Sequence, residues 1–241
     1  VDLGEYAGKE IYVAIRHYNI EGSYNLLIDD IEFCRDGGTF ENGIAYLASY
    51  ETETTAEFTG ILNKENSYKV TTSYSSSNLM ANYNLVGNPF TYNINWTTDV
   101  KLTGVNDGYA VVKEDGGYEY RTGGVIKVGE GFMVNSAKGR SHNITFQKNI
   151  NSVKRDSDNH INIEASCKYG SDNVVIYFSE DDNRAFPKLN NFNRKIANIY
   201  VKDNDTVYGI YNLNTAIDEI PLYFDAKEMG TYTLTFDVKG D

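Results

Sequence analysis

The stretch Tyr83–Phe90, YNLVGNPF, decides the fold together with a similar stretch, Ile126–Val134, IKVGEGFMV, which follows about forty residues later. Each is an apolar run interrupted by glycine or by Asn-Pro, which is typical of a buried strand that ends in a tight turn. Neither stretch carries a residue pattern that suggests catalysis. The pair therefore predicts architecture rather than chemistry.

Most of the remaining chain alternates apolar and polar residues between turn signals, as β-strands do. Two hairpins are predicted, one joining residues 109–112 to 118–121 and one joining residues 196–201 to 206–211. A last hairpin is predicted from residues 220–224 into 231–236. Because no segment shows a convincing helical period, we expect an all-β protein. Other strands are predicted at residues 10–16, 55–62, 67–74 and 173–178, and a further hairpin is predicted to join 55–62 to 67–74 through the polar loop 63–66.

Length and polarity divide the 241 residues into three parts. Residues 1–35 hold too few strands to bury a core of their own. Residues 36–155 are long enough for one domain, and the polar segment 151–159 is typical of a connector. The third part is 156–241. We expect two consecutive β-sandwich or jelly-roll-like domains, preceded by a partial strand segment.

The charge of the chain excludes two classes of partner. Its formal net charge is −12, whereas a nucleic-acid site needs clustered lysine and arginine to displace counterions. The same charge disfavours adsorption to an anionic membrane face. No apolar run approaches the roughly 20 residues that span a bilayer. We therefore expect no nucleic-acid partner and no membrane insertion.

The two cysteines, Cys34 and Cys167, are far apart in the sequence. Two cysteines are too few for the disulfide framework of a small secreted domain. They can form a single long-range bridge, or they can be two separate buried thiols that act as small apolar residues. The second alternative is favoured, and the first remains open.

The chain shows no recognisable catalytic constellation. The three histidines, His17, His142 and His160, are scattered, and none belongs to a metalloprotease, nucleophile-elbow or phosphate-loop motif. The 34 acidic residues guarantee accidental carboxylate pairs, and none stands out by its context. We expect a protein that is not an enzyme.

A metal site is the first candidate for a functional site. In LLIDDIEF, residues 26–33, strand alternation places Asp29 on the same face as apolar neighbours. A carboxylate on a buried face needs a cation or hydrogen-bond donors. Asp29 and the adjacent Asp30 are therefore candidate ligands of a structural calcium ion. A hydrogen-bonded aspartate without metal is the alternative.

Aromatic side chains near the Asn-Pro turn are the second candidate. Trp96, Tyr92 and Tyr83 lie close together in the sequence, and exposed aromatic rings can stack on the apolar face of a sugar. The chain has 20 tyrosines, so such clustering also arises by chance. Packing in the core or across strands is therefore the alternative.

Three passages resemble secreted proteins of the Bacteroidetes. NLVGNPF at 84–90, followed by GEGFMV at 129–134, resembles the β-domain of adhesins and of the haemagglutinin/adhesin regions of gingipain-type proteases. YAGKEIYVAIRHYN at 6–19, followed by YNLLIDDIEF at 24–33, resembles the final strands of the cleaved-adhesin, or choice-of-anchor J, jelly roll. Residues after 160 resemble the module that often follows in type IX-secreted proteins.

The resemblance implies a location and a class of function. It implies a protein that is secreted or held on the outer surface of a Gram-negative bacterium, and jelly rolls of this family commonly bind structural calcium. We expect a non-enzymatic β-module for adhesion or structural display, with an unidentified protein or glycan as its ligand. The alternative is a carbohydrate-binding accessory module of a secreted hydrolase. A hydrolase is a third class, which requires a cleft with converging reactive side chains.

Overall fold

The computed structural model describes residues 41–46, 63–78, 82–139, 141–150, 159–178, 184–213 and 219–240. All of them belong to one compact unit, residues 40–241. The strands predicted at residues 10–16 and 55–62 lie outside the described residues. So do Cys34 and the candidate calcium ligands Asp29 and Asp30.

The described residues form sixteen strands and one helical turn, which confirms the all-β prediction. The turn is α1, Trp96–Asp99, and the side chain of Asn95 caps it by accepting a hydrogen bond from the Thr97 N–H. In chain order the strands are β1 Ser67–Thr71, β2 Tyr83–Gly87, β3 Ile94–Asn95, β4 Val100–Thr103, β5 Tyr109–Val112, β6 Tyr118–Arg121, β7 Val125–Ile126, β8 Gly131–Asn135, β9 Asn143–Gln147, β10 His160–Cys167, β11 Gly170–Phe178, β12 Phe186–Pro187, β13 Asn198–Asp203, β14 Thr206–Leu213, β15 Leu222–Asp225 and β16 Thr233–Lys239.

These strands form four sheets. One has the order β1-β9-β4, a second β2-β8-β5-β6, and β3 pairs with β7. The largest has seven strands in the order β15-β13-β14-β11-β10-β16, with β12 also paired to β14. Its pair β11 and β14 is parallel, and the other pairs between described strands are antiparallel.

Three apolar clusters stack the sheets in layers. The first cluster includes Phe132 of β8 and Phe146 of β9, so it fills the space between the four-stranded and the three-stranded sheet. The second includes Met133, next to Phe132 in the chain, together with Phe186 of the seven-stranded sheet. Because neighbouring residues of a strand point to opposite faces, the four-stranded sheet is buried on both of its faces. The third cluster, which includes Ile163, covers the far face of the seven-stranded sheet.

The apolar stretches at residues 83–90 and 126–134 contain two strands that lie side by side. Strands β2 and β8 pair antiparallel, with Leu85 opposite Met133 and Gly87 opposite Gly131. Their glycines permit a close approach of residues 43–45: a Cβ on Gly131 would lie 2.7 Å from the Cβ of Ala45. Burial on both faces explains why these strands are apolar runs without strict alternation.

The two predicted inner hairpins are confirmed. Strands β5 and β6 pair around a turn in which Gly116 has a φ of +82°. Strands β13 and β14 pair around a turn in which Asn204 has a φ of +51°. Glycine and asparagine are the residues that tolerate this left-handed backbone at least cost.

The predicted last hairpin is wrong, although both of its strands exist. Strand β15 pairs with β13 and β16 pairs with β10, so the two strands lie at opposite ends of the seven-stranded sheet. Alternation specifies which face a side chain takes, and it leaves the neighbouring strand unspecified. This is why the sequence pattern misled.

The seven-stranded sheet curls into a half-barrel. If the six strands from β15 to β16 lay in a flat sheet, these two outer strands would be roughly 24 Å apart. The rings of Phe224 in β15 and Tyr232, just before β16, have centroids only 5.1 Å apart. Phe224 lies opposite Ile199 and Phe236 lies opposite Ile163. Since Ile199 and Ile163 belong to the third cluster, that cluster lines the concave face.

Packing across the predicted boundary at 155/156 is extensive. The second cluster joins Tyr118 and Tyr120 to Val175 and Phe186. The Asn173 side chain accepts a hydrogen bond from the Tyr120 N–H at 2.8 Å and donates one to the Tyr120 carbonyl at 3.1 Å. It thereby takes the place of a neighbouring strand at the edge of β6. The division into 36–155 and 156–241 stays a prediction.

Buried tyrosines make the fold sensitive to alkaline pH. Burial raises the pKa of Tyr109 to about 12 and raises that of Tyr120 well above its ordinary value. Between about pH 10 and 12, the unfolded chain releases phenol protons that the folded chain keeps. Each such group lowers the free energy of unfolding by up to about 1.4 kcal/mol per pH unit in that window. We expect the urea midpoint to fall steeply above pH 10.

Tyr109→Phe provides the control for this prediction. It removes one phenol together with its 2.9 Å hydrogen bond to the Gly123 carbonyl, so stability at pH 8 falls by about 1 kcal/mol. The loss between pH 10 and 12 becomes shallower, because one titrating group is gone. An unchanged slope in urea titrations at pH 9, 10 and 11 would contradict the assignment.

Candidate functional site

Trp96 lies inside the first cluster with none of its surface exposed. Its Nε1–H donates to Oδ1 of Asp107 at 2.9 Å. Its ring packs against Tyr109 and Phe132, with centroid separations of 4.6 and 5.9 Å. A sugar cannot reach the faces of this ring in the folded chain. Trp96 is therefore a core residue, which is the alternative that the sequence left open.

The other two candidate aromatics occupy different surroundings. Tyr92 is 37% exposed and stacks on Phe90, with ring centroids 4.8 Å apart and ring planes 5° apart. Tyr83 is half-buried beside the second cluster, 5.9 Å from Phe186, and burial raises its pKa to about 12. The structure therefore does not assemble Trp96, Tyr92 and Tyr83 into one platform. Sugar stacking on Tyr92 stays a prediction.

The metal prediction falls outside the described residues, since Asp29 and Asp30 do. Within the described ranges, no three side chains of the metal-binding kinds (His, Cys, Asp or Glu) converge. Structural calcium stays a prediction. Cys167 is a half-buried free thiol at the end of β10.

A buried ion pair holds the second cluster to the seven-stranded sheet. Nζ of Lys188 lies 2.7 Å from each carboxylate oxygen of Asp172 and donates to the Asn173 carbonyl at 3.0 Å. It also lies 4.4 Å from the centroid of the Tyr120 ring, a favourable cation–π distance. Oδ2 of Asp172 accepts the Ile199 N–H at 2.9 Å. The donors and acceptors of the pair are thus well satisfied.

Burial shifts both members of this pair toward neutrality. It lowers the pKa of Lys188 to about 8 and raises that of Asp172, in each case against the pull of the opposite charge. Perturbed pairs also occur at catalytic sites. Here, however, both side chains are enclosed and engaged with backbone groups. The arrangement serves packing and register rather than chemistry.

Exposed apolar side chains concentrate near the C-terminal strands. Among the described residues, twelve large hydrophobic side chains are exposed, and six of them lie between Tyr223 and Val238. Soluble proteins rarely leave contiguous apolar patches open unless they bind something. This concentration is therefore the strongest candidate for a functional site.

Strand β16 presents three of these side chains on one face. Leu234, Phe236 and Val238 are 46%, 58% and 65% exposed. They alternate along the strand and lie opposite Ala165, Ile163 and Ile161 of β10. We call β16 together with Phe224 the edge surface. It forms the open rim of the concave face, next to the third cluster.

The backbone of the edge surface is also open. Every residue of β16 is exposed, and among the described strands β16 pairs only with β10. A strand at the end of a sheet carries unpaired N–H and C=O groups that can bind another strand. The other face of β16 is polar, with Lys239 3.8 Å from Asp237. The edge surface thus combines a polar outer face, an apolar inner face and a free backbone.

The sequence predicts the strand β16 and does not reveal that its apolar face is exposed. The alternation of TLTFDVK predicts one apolar face, and such a face is normally covered. The sequence signal for this face is the alternation of large apolar residues at positions 234, 236 and 238. Whether another layer covers them is a property of the tertiary fold.

No described helix is long and apolar enough to cross a membrane. The chain matches no protein-family model, no curated protein and no solved structure.

Proposed function

We propose that this chain is a non-enzymatic β-module that binds another protein through the edge surface. The observation that carries the proposal is the coincidence, on β16, of a free backbone edge with three exposed apolar side chains. In the cell the module would belong to a secreted or outer-surface protein of a Gram-negative bacterium. The location is supported by the resemblance of NLVGNPF and GEGFMV to adhesin β-domains.

Strand addition is the binding mode that this geometry favours. A partner segment in extended conformation would supply the missing hydrogen bonds, and its alternate side chains would contact Leu234, Phe236 and Val238. The buried neighbours of β16 keep the strand in place before binding. Little ordering cost is then paid by the module itself.

The first test uses a peptide of known chemistry. We expect the fluorescently labelled peptide VKVKVKV to bind with a micromolar dissociation constant in an anisotropy titration. The scrambled peptide VVVKKKV has the same charge and composition and lacks alternation, so it should bind at least about tenfold more weakly. Phe236→Lys should abolish the difference between the two peptides.

Val128→Lys is the matched control, because Val128 is 52% exposed and lies outside the edge surface. It introduces the same charge and should leave peptide binding unchanged. Equal binding of both peptides by the unmodified chain would contradict the proposal. So would turnover of a peptide or glycoside substrate that is lost on substitution of one carboxylate.

A carbohydrate-binding module is the second candidate. Two observations favour it: the stacked pair Tyr92 and Phe90, and the stacked pair Tyr223 and Tyr200, whose ring centroids are 5.6 Å apart with planes at 6°. In each pair one ring is exposed, Tyr92 at 37% and Tyr223 at 41%, and an exposed ring held flat by its neighbour suits the apolar face of a sugar. Saturable binding on a glycan array that disappears in Tyr92→Ala or Tyr223→Ala would favour this candidate over strand addition.

A further inference from the structure

We propose that the partner of β16 is β16 of a second copy of this chain, paired antiparallel about a two-fold axis through Phe236. The inference rests on the proposed function, because it uses the same edge surface. It adds the identity of the partner and the register of pairing.

The apolar residues of β16 are symmetric about its middle residue. The strand runs TLTFDVK from Thr233 to Lys239, and Phe236 is its centre. A two-fold axis there sets Phe236 opposite Phe236 of the second copy. It also sets Leu234 opposite Val238, and the reverse. Every large apolar side chain on the inner face would then meet an apolar partner, which is the favourable arrangement for cross-strand pairs.

The polar face agrees with the same register. Asp237 would lie opposite Thr235 of the second copy, and Lys239 would lie opposite Thr233. No like charges face each other directly, and Lys239 keeps its ion pair with Asp237 of its own strand at 3.8 Å. A self-complementary patch of this kind is what a two-fold interface requires.

The expected dimer is weak. A contact limited to one strand from each copy buries less than the roughly 1,200 Å² of a standard interface. Each copy also carries a formal net charge of −12, and the resulting repulsion is screened by salt. We expect a dissociation constant of about 10–100 μM in 0.15 M NaCl. It should tighten when NaCl is raised to 0.5 M.

Sedimentation velocity over a concentration series tests the association. The unmodified chain should convert from monomer to dimer, and Phe236→Lys should raise the dissociation constant at least about tenfold because it sets two lysines opposite each other. Val128→Lys should leave it unchanged. Excess VKVKVKV should compete with the dimer, since both occupy the same edge.

Disulfide trapping tests the register. In a background carrying Cys34→Ser and Cys167→Ser, Phe236→Cys should yield a covalent dimer on mild oxidation, because opposed residues of antiparallel strands are close enough for a disulfide. Thr235→Cys alone should yield little. Mixing Thr235→Cys with Asp237→Cys should yield the covalent heterodimer that the axis requires.

The outcomes separate the two proposals. If the chain binds VKVKVKV selectively, stays monomeric up to 500 μM (a ceiling of about five to fifty times the expected dissociation constant) and does not cross-link through position 236, the edge surface binds strands of other proteins and the dimer is overturned. If the chain dimerises with cross-links at other positions, the register is overturned. If it neither dimerises nor distinguishes the peptides, both proposals fail.

Discussion

Replacing Lys188 by methionine is expected to lower the free energy of unfolding by about 3–5 kcal/mol. The substitution preserves most of the volume of the side chain and removes its charge. In the unmodified chain the Lys188 ammonium group lies 2.7 Å from each carboxylate oxygen of Asp172. In the variant Asp172 stays enclosed and has lost this counter-charge. An uncompensated buried carboxylate is among the costliest defects in a protein core.

The double variant Lys188→Met with Asp172→Asn identifies the cause. An asparagine at 172 carries no charge and still offers an oxygen to the Ile199 N–H, which donates to Asp172 at 2.9 Å. Because replacing a whole buried ion pair is often nearly neutral, we expect the double variant to regain most of the lost stability. The coupling between the two substitutions should exceed 2 kcal/mol, within the range for groups in one network.

Urea unfolding at pH 7 measures these differences. Trp96 is the only tryptophan, and it is buried, so its fluorescence reports unfolding of the first cluster. Circular dichroism follows the strands at the same time. A cost below 1 kcal/mol for Lys188→Met, or a double variant no more stable than the single one, would contradict the role assigned to the pair.

The parts of the structure that the sequence predicts correctly are those that local chemistry decides. The hairpin turns are predictable because glycine and asparagine are among the few residue types that adopt a positive φ. In the structure Gly116 and Asn204 have φ angles of 82° and 51°. The all-β class follows from alternation along many short segments. Strand β11 follows from the apolar run at 173–178, whose residues are mostly buried. Each of these inferences uses residues that are close in the sequence.

The wrong predictions concern places where distant parts of the chain meet. The pairing of β15 with β13 and of β16 with β10 joins segments separated by many residues. Alternation in the 220–236 region could not reveal it. Likewise, an aromatic residue near a turn has the same appearance in the sequence whether it is buried, as Trp96 is, or open to solvent, as Tyr92 is. Only the layers around each ring distinguish the two cases.

Trp96→Ala is expected to lower the free energy of unfolding by about 3–5 kcal/mol, the usual cost of deleting a large buried aromatic side chain. The variant leaves a cavity between Tyr109 and Phe132, the two rings that Trp96 contacts. It also removes the indole donor from Asp107, which keeps Arg184 as a neighbour at 3.9 Å.

Circular dichroism on heating must measure this change, because the variant has no tryptophan left to fluoresce. For a chain of this size a loss of 3–5 kcal/mol corresponds to a fall in Tm of roughly 10 °C. Tyr92→Ala is the matched control: Tyr92 is 37% exposed and is not a member of the first cluster, so we expect a shift of less than about 3 °C. Comparable shifts in the two variants would contradict the placement of Trp96.

The same pair of variants determines how a sugar-binding result must be interpreted. Trp96→Ala would weaken any glycan binding of the chain indirectly, because it loosens the first cluster. A loss of glycan binding in that variant would therefore reflect unfolding. Tyr92→Ala removes an exposed ring and leaves the core intact. A glycan signal lost in Tyr92→Ala at unchanged Tm would therefore locate a stacking site at the Asn-Pro turn, whereas a signal lost only in Trp96→Ala would locate none.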